Sequence, residues 1–191
     1  MAEPFEKFIK AFTPPKYAIK LQHHLITYFE GILPAEIFKF WGSYGFGDYA
    51  NGLIKVVNPI EYADPLYEWL GAEDPSKVPI LVTGFGDIFY YRKLSDFGDE
   101  DVCFLDIHHR NIDICAYSLK DFFESFIVNK SKANNLLKST LFKKAVLKKG
   151  ILQFEEIYYF VPALILGGKE DIKHVDKGNG VTHQSLLFQM G

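Results

Sequence analysis

Cysteine is nearly absent, with two in 191 residues. That excludes a small secreted scaffold held by disulfides, and Cys103 and Cys115, each inside an apolar strand-like segment, read as buried thiols. No apolar run is long enough to span a bilayer, and no repeat of solenoid length recurs. The first ten residues, MAEPFEKFIK, alternate charges with aromatics and lack the apolar stretch of a signal or transit peptide, so a cytoplasmic protein is expected. Phosphate-binding sequences are missing too. Two Gly-Phe-Gly-Asp segments, at 45–48 and 84–87, offer neither the Gly-Lys-Ser/Thr of a Walker loop nor the third glycine of a dinucleotide fingerprint. They read instead as tight backbone at strand entrances. No serine or cysteine sits in a nucleophile elbow, so no catalytic residue is assigned.

Large side chains are abundant: eighteen Phe, eleven Tyr and two Trp, within a 48% hydrophobic chain, are material for a sizeable core. The net charge of -3 hides an uneven distribution. Residues 61–115 carry four basic and twelve acidic residues, whereas residues 116–150 carry eight lysines and two acids. An electrostatic dipole follows. The lysines at 143, 144, 148 and 149 lack interleaved aromatics or a nucleic-acid reading motif, so they read as a solvated helix face rather than a DNA contact.

Periodicity gives an order of elements. Helices are expected before Pro14, from about Lys16 to Glu30, and from Pro34 through Trp41. GLIKVV (52–57) reads as a strand and IEYADPLYEWLG (60–71) as a helix with Pro65 in its first turn. ILVT, IFYYRK, VCFLDIHH (102–109) and IDICAY (112–117) read as strands, the last two forming a hairpin with Cys103, Leu105 and Ile107 on the core face. Ser118 caps a helix whose apolar positions run from Leu119 to Ile127; another is expected from Lys132 to Lys149, ending at Gly150, and a short one from Thr182 to Gln189. FEEIYYFVPALILGG (154–168) is expected to lie buried beside the sheet. Trp41 and Phe123, on apolar helix stripes, are expected in the core. The fold class is α+β: a mostly antiparallel sheet flanked by helices, with a helical C-terminal part packed against it.

Two polar groups are candidates for function. Asp106, His108 and His109 superficially offer a base or metal ligands, yet on a strand the two histidines point to opposite faces and cannot share one metal. No metal ligand or cofactor is therefore assigned. The acidic middle offers Glu73, Asp74, Asp96, Asp99, Glu100 and Asp101, all in loop-like segments, as a surface for a basic protein partner.

The segments FKFWGSYGFGDYANGLIKVVNPIEY (38–62), VPILVTGFGDIFYY (78–91), VCFLDIHH (102–109) and FVPALILGG (160–168) resemble, in this order, the GAD-like domain proteins of bacteria. Phe40-Trp41, Gly45 to Gly47, Gly52 to Pro59 and Phe85 to Tyr90 carry the GAD-like likeness. The Phe160 to Leu164 and Gly167-Gly168 signature is similar to the segment that accompanies this domain in type VI secretion immunity proteins. The resemblance implies a GAD-like part over 1–115, an immunity-type part over 116–191, and a non-catalytic protein that binds and neutralises a cognate nuclease toxin, commonly a DNase, by covering its active site or DNA-binding face. It brings no catalytic motif and implies no direct contact with nucleic acid or membrane. The competing readings are a small hydrolase or ligand-binding enzyme using Asp106 and His108, and a regulatory adaptor.

Overall fold

The computed structural model describes residues 3–191; Met1 and Ala2, included in the expected 1–115 part and in the leader reading, lie outside the described residues. The chain opens with three helices, α1 (Glu6–Ala11), α2 (His23–Phe29) and α3 (Ala35–Tyr44). α2 is shorter than the periodicity predicts. Residues 16–22 are not helical, because Ile19 exchanges both backbone hydrogen bonds with Phe46, at 2.9 Å each. A pairing supplied from elsewhere in the chain has overridden a local helical pattern.

Six antiparallel strands follow in sequential order: β1 (Gly47–Tyr49), β2 (Ile54–Val56), β3 (Lys77–Thr83), β4 (Ile88–Lys93), β5 (Glu100–Asp106) and β6 (Asn111–Ala116). α4 (Pro59–Leu70) connects β2 to β3. Asn58 accepts a hydrogen bond from Ile60 N at 3.2 Å and so starts α4 at Pro59. Pro65 therefore lies inside the helix, beyond its first turn, and is buried there.

Both faces of the sheet are core, which corrects the expectation of one core face. On β4 and β5, Phe89, Tyr91, Val102 and Phe104 join the cluster formed with α1, α3 and the residues after β6. The alternate residues Ile88, Tyr90, Cys103 and Leu105 join a second cluster with Tyr62 and Leu66 of α4. The period-two alternation is thus apolar on both sides, as a sheet covered by helices above and below requires. Trp41 and Phe123 are fully buried, and Phe123 stacks on Phe5 at 4.3 Å between ring centres.

After β6, Ser118 caps α5 (Leu119–Asp121), accepting from Asp121 N at 3.0 Å, and the expected helix continues as a wider π turn over Phe122–Phe126. The next expected helix is two: α6 (Lys130–Leu136) and α7 (Ser139–Lys149), broken where Lys138 adopts a left-handed φ of 47°. Segment 154–168 is not one buried block. It contains β7 (Glu156–Phe160), which pairs with β8 (Val175–Asn179) in a second, two-stranded antiparallel sheet ahead of α8 (Gly180–Gln189). The C-terminal part thus adds a small sheet to its helices. No helix among the described residues is long and apolar enough to cross a membrane.

Candidate partner-binding surface

The α4–β3 and β4–β5 connections meet at one end of the large sheet, where Lys93 N donates to Ser76 O at 2.9 Å. Glu73 and Asp74 from the first loop and Asp96 and Asp99 from the second are thereby brought to the same end. Glu73, Asp96 and Asp99 are exposed. Asp74 is half-buried: it accepts from the Ser76 hydroxyl at 2.6 Å and pairs with Lys77 at 3.1 Å. Asp96 pairs with Lys93, yet its side chain remains 91% exposed. Asp99 accepts from the Ser95 hydroxyl at 2.7 Å, closing the hairpin turn.

Glu100 and Asp101 are not loop residues but open β5. Asp101 is buried and forms a two-pronged pair with Arg92, at 2.7 and 2.6 Å, across the β4–β5 ladder. Glu100 accepts from Tyr91 OH at 2.9 Å and from Leu119 N at 2.8 Å, tying the start of α5 to the sheet. Fixed donors within the fold consume both carboxylates. What sequence reasoning missed is aromatic: Phe97, at the tip of the acidic hairpin, is 98% exposed and Tyr117, just past β6, is 79% exposed. An aromatic inside the turn sequence Ser95-Asp96-Phe97-Gly98 was the available signal, since turn chemistry does not call for one. Beside Glu73 a cleft of about 220 Å³ opens between Tyr28, Tyr67 and Asp64.

The Asp106, His108 and His109 group is in a different place and a different state. β5 ends at Asp106, and 107–110 form the turn to β6, so the opposite-face argument does not apply. Asp106 Oδ1 accepts from the backbone N–H groups of His108 and His109, at 3.0 and 2.9 Å, and Oδ2 lies 2.8 Å from His109 Nδ1. It is a turn cap. His108 is buried with Nε2 2.8 Å from the Phe85 carbonyl, and burial pushes its pKa down, so the ring is neutral and donates that bond.

Beneath it lies Asp87 of the second Gly-Phe-Gly-Asp segment, fully buried, with Ile107 N at 3.2 Å and Lys138 Nζ at 3.4 Å. Burial raises the Asp87 carboxyl. Burial alone would lower Lys138, but Asp87, Asp106 and Glu170 together hold its ammonium above the usual range. The cluster is a buried ion pair with its counter-charges, joining the β3–β4 hairpin to the α6–α7 break. Burial also pushes the thiols of Cys103 and Cys115 up to about 11 and about 12, and both are free; Cys115 is half-buried rather than buried. Such thiols are inert as nucleophiles at neutral pH. No group of three or more His, Cys, Asp or Glu able to hold a metal occurs among the described residues.

The second Gly-Phe-Gly-Asp segment does more than open a strand. Phe85 stacks on Phe160 of β7 at 5.4 Å, and Tyr158 N donates to Gly84 O at 2.8 Å. A side chain on Gly84 would meet the Phe142 ring at 2.5 Å, so the close approach of α7 requires glycine there.

The chain is a three-layer α+β protein whose buried charges are spent on internal cohesion and whose exposed Glu73, Asp96, Phe97 and Asp99 lie on two loops at one end of the large sheet. The chain belongs to the GAD-like family: residues 3–99 match the GAD-like domain, and residues 116–191 match the C-terminal part of the T6SS immunity protein Tdi1. The two matches support an immunity-protein role in type VI secretion. The crystal structure of Atu4351 from Agrobacterium tumefaciens shares the fold, with a TM-score of 0.75 at 17% identity over 98% of this chain and 89% of that one. No curated protein matches the chain.

Proposed function

We propose that the protein neutralises a nuclease toxin, most simply a DNase, by binding it through the acidic sheet end and covering its active site or DNA-binding face, without catalysis of its own. It would do so in the cytoplasm, with the 1–115 part presenting the acids and the 116–191 part bracing them. The observation that carries this reading is that exposed Glu73, Asp96, Phe97 and Asp99 lie on two loops at the same end of the sheet, in a chain with an immunity-type C-terminal match. A nuclease presents positive surface to phosphates, and a negative surface that meets it steers encounter and excludes DNA. Lys77 and Lys93 offset part of the charge, so steering falls to the three exposed acids and affinity to apolar anchors.

Association kinetics with the cell's own nuclease effector test this. Glu73→Gln, Asp96→Asn and Asp99→Asn together should slow association and flatten its salt dependence, while Phe97→Ala should chiefly speed dissociation. Glu100 and Asp101 are unsuitable for this test because their loss would disturb the fold. Association indifferent to salt and to the triple substitution would remove the acidic end from the interface. If expression of the protein protects against no nuclease, the toxin assignment itself fails.

A further inference from the structure

The two edges of the six-stranded sheet are built differently. β1 has only three residues and is shielded by the Ile19–Phe46 bridge and by Ala50 N donating to Thr13 O at 2.9 Å. β6 has six residues, contains no proline or lysine, and among the described residues no other element hydrogen-bonds to its outer side. Asn111 to Ile114 are exposed, and Ile112 and Ile114 remain 44% and 50% exposed on the α4 face. An uncovered edge of this length, bearing large apolar side chains, invites another strand.

Asp113 decides which strand. It lies between the two isoleucines on the opposite face, and its nearest polar partner is the Asn111 amide at 2.7 Å. The two-fold antiparallel pairing that would cover the isoleucines of two copies with each other sets Asp113 directly against its own copy, and like charges across a ladder repel. A second copy is disfavoured by that contact; a lysine or arginine in the same position is favoured.

We propose that β6 is a strand-addition site whose occupant is an extended segment of the toxin reading apolar–basic–apolar opposite Ile114, Asp113 and Ile112. The ladder supplies affinity, and the alternating side chains supply selectivity. β6 leads at Ala116 to Tyr117, beside the start of β5 and the acidic hairpin, so one basic partner can engage both surfaces. The identity of the occupant rests on the proposed toxin reading; the open edge does not.

The test uses the full chain and two capped peptides, Thr-Val-Lys-Val-Thr and Thr-Val-Glu-Val-Thr, followed by amide chemical shifts. The Lys peptide should shift the β6 amides with saturation in the millimolar range, the Glu peptide should bind about five-fold more weakly, and Asp113→Lys should reverse that order. Absence of β6 shifts, or equal response to both peptides, overturns the inference. A wild-type dimer with protected β6 amides overturns it as well, by making a second copy the occupant. No nuclease enters this assay, so β6 shifts without a nuclease partner reject the toxin reading alone. A nuclease partner without β6 shifts rejects strand addition alone.

Discussion

At the scale of single residues, burial outweighs type. Phe123 and Trp41 are large, fully enclosed and without solvent contact, so truncating either to Ala should cost about 3–5 kcal/mol, read as a lowered denaturation midpoint with little change in toxin binding once folded. A variant with unchanged stability and lost binding would assign that ring to the interface instead. His108 sets a pH dependence. Its pKa is lowered in the folded chain, so its contribution is present above the ordinary histidine value of about 6.5 and is lost as pH falls below it, when the unfolded chain binds the proton first. His183, also lowered by burial, adds the same sign, whereas the raised carboxyl of Asp87 opposes it. The measurement is therefore a difference. Stability should fall less between pH 7 and pH 5 in His108→Gln than in the wild-type chain, and equal slopes would contradict a neutral buried ring.

Among elements, the contacts that matter join segments far apart in sequence. Lys138, placed by the left-handed break between α6 and α7, is the partner of buried Asp87. Lys138→Met should destabilise by about 3 kcal/mol, because it strands a buried carboxylate, and adding Asp87→Asn should recover part of that loss. Additive effects in the double variant would show that the pair does not interact. Gly86 has φ 89°, and a side chain there would meet Ile157 of β7 at 2.5 Å. Gly86→Ala should therefore cost about 1–3 kcal/mol, felt at the contact between the hairpin and the small sheet.

Across the whole molecule, the parts share cores. Ala116, Leu119, Phe122, Phe123, Ile127, Ala133 and Leu137 belong to the cluster built on α1, α3 and the first face of the sheet. Lys55 of β2 is buried, pairs with Asp48 and donates to Phe154 O at 3.2 Å in the C-terminal part. Trp69 of α4 donates to Gln184 O of α8 at 3.1 Å. Unfolding should accordingly be one cooperative transition, with calorimetric and van't Hoff enthalpies in agreement; two resolved transitions would show that the contacts between the parts contribute little.

The amino-acid pattern by itself determined what depends on neighbours in sequence. Ser118 had its cap, Gly150 its helix end, β3 to β6 their place as strands, and the ordered aromatic and glycine segments their family likeness, because each is fixed within a few residues. Tertiary structure decided what depends on the environment. Lys16 to Gln22 lost a helix to a strand pairing, Asp101 left an acidic run for a buried pair with Arg92, and Asp106, the last residue of β5, became the cap of the turn that carries both histidines. The exposed acids were sorted from the spent ones only by which donors the fold brought within reach. A carboxylate's charge is a property of the residue, but its availability is a property of the surroundings.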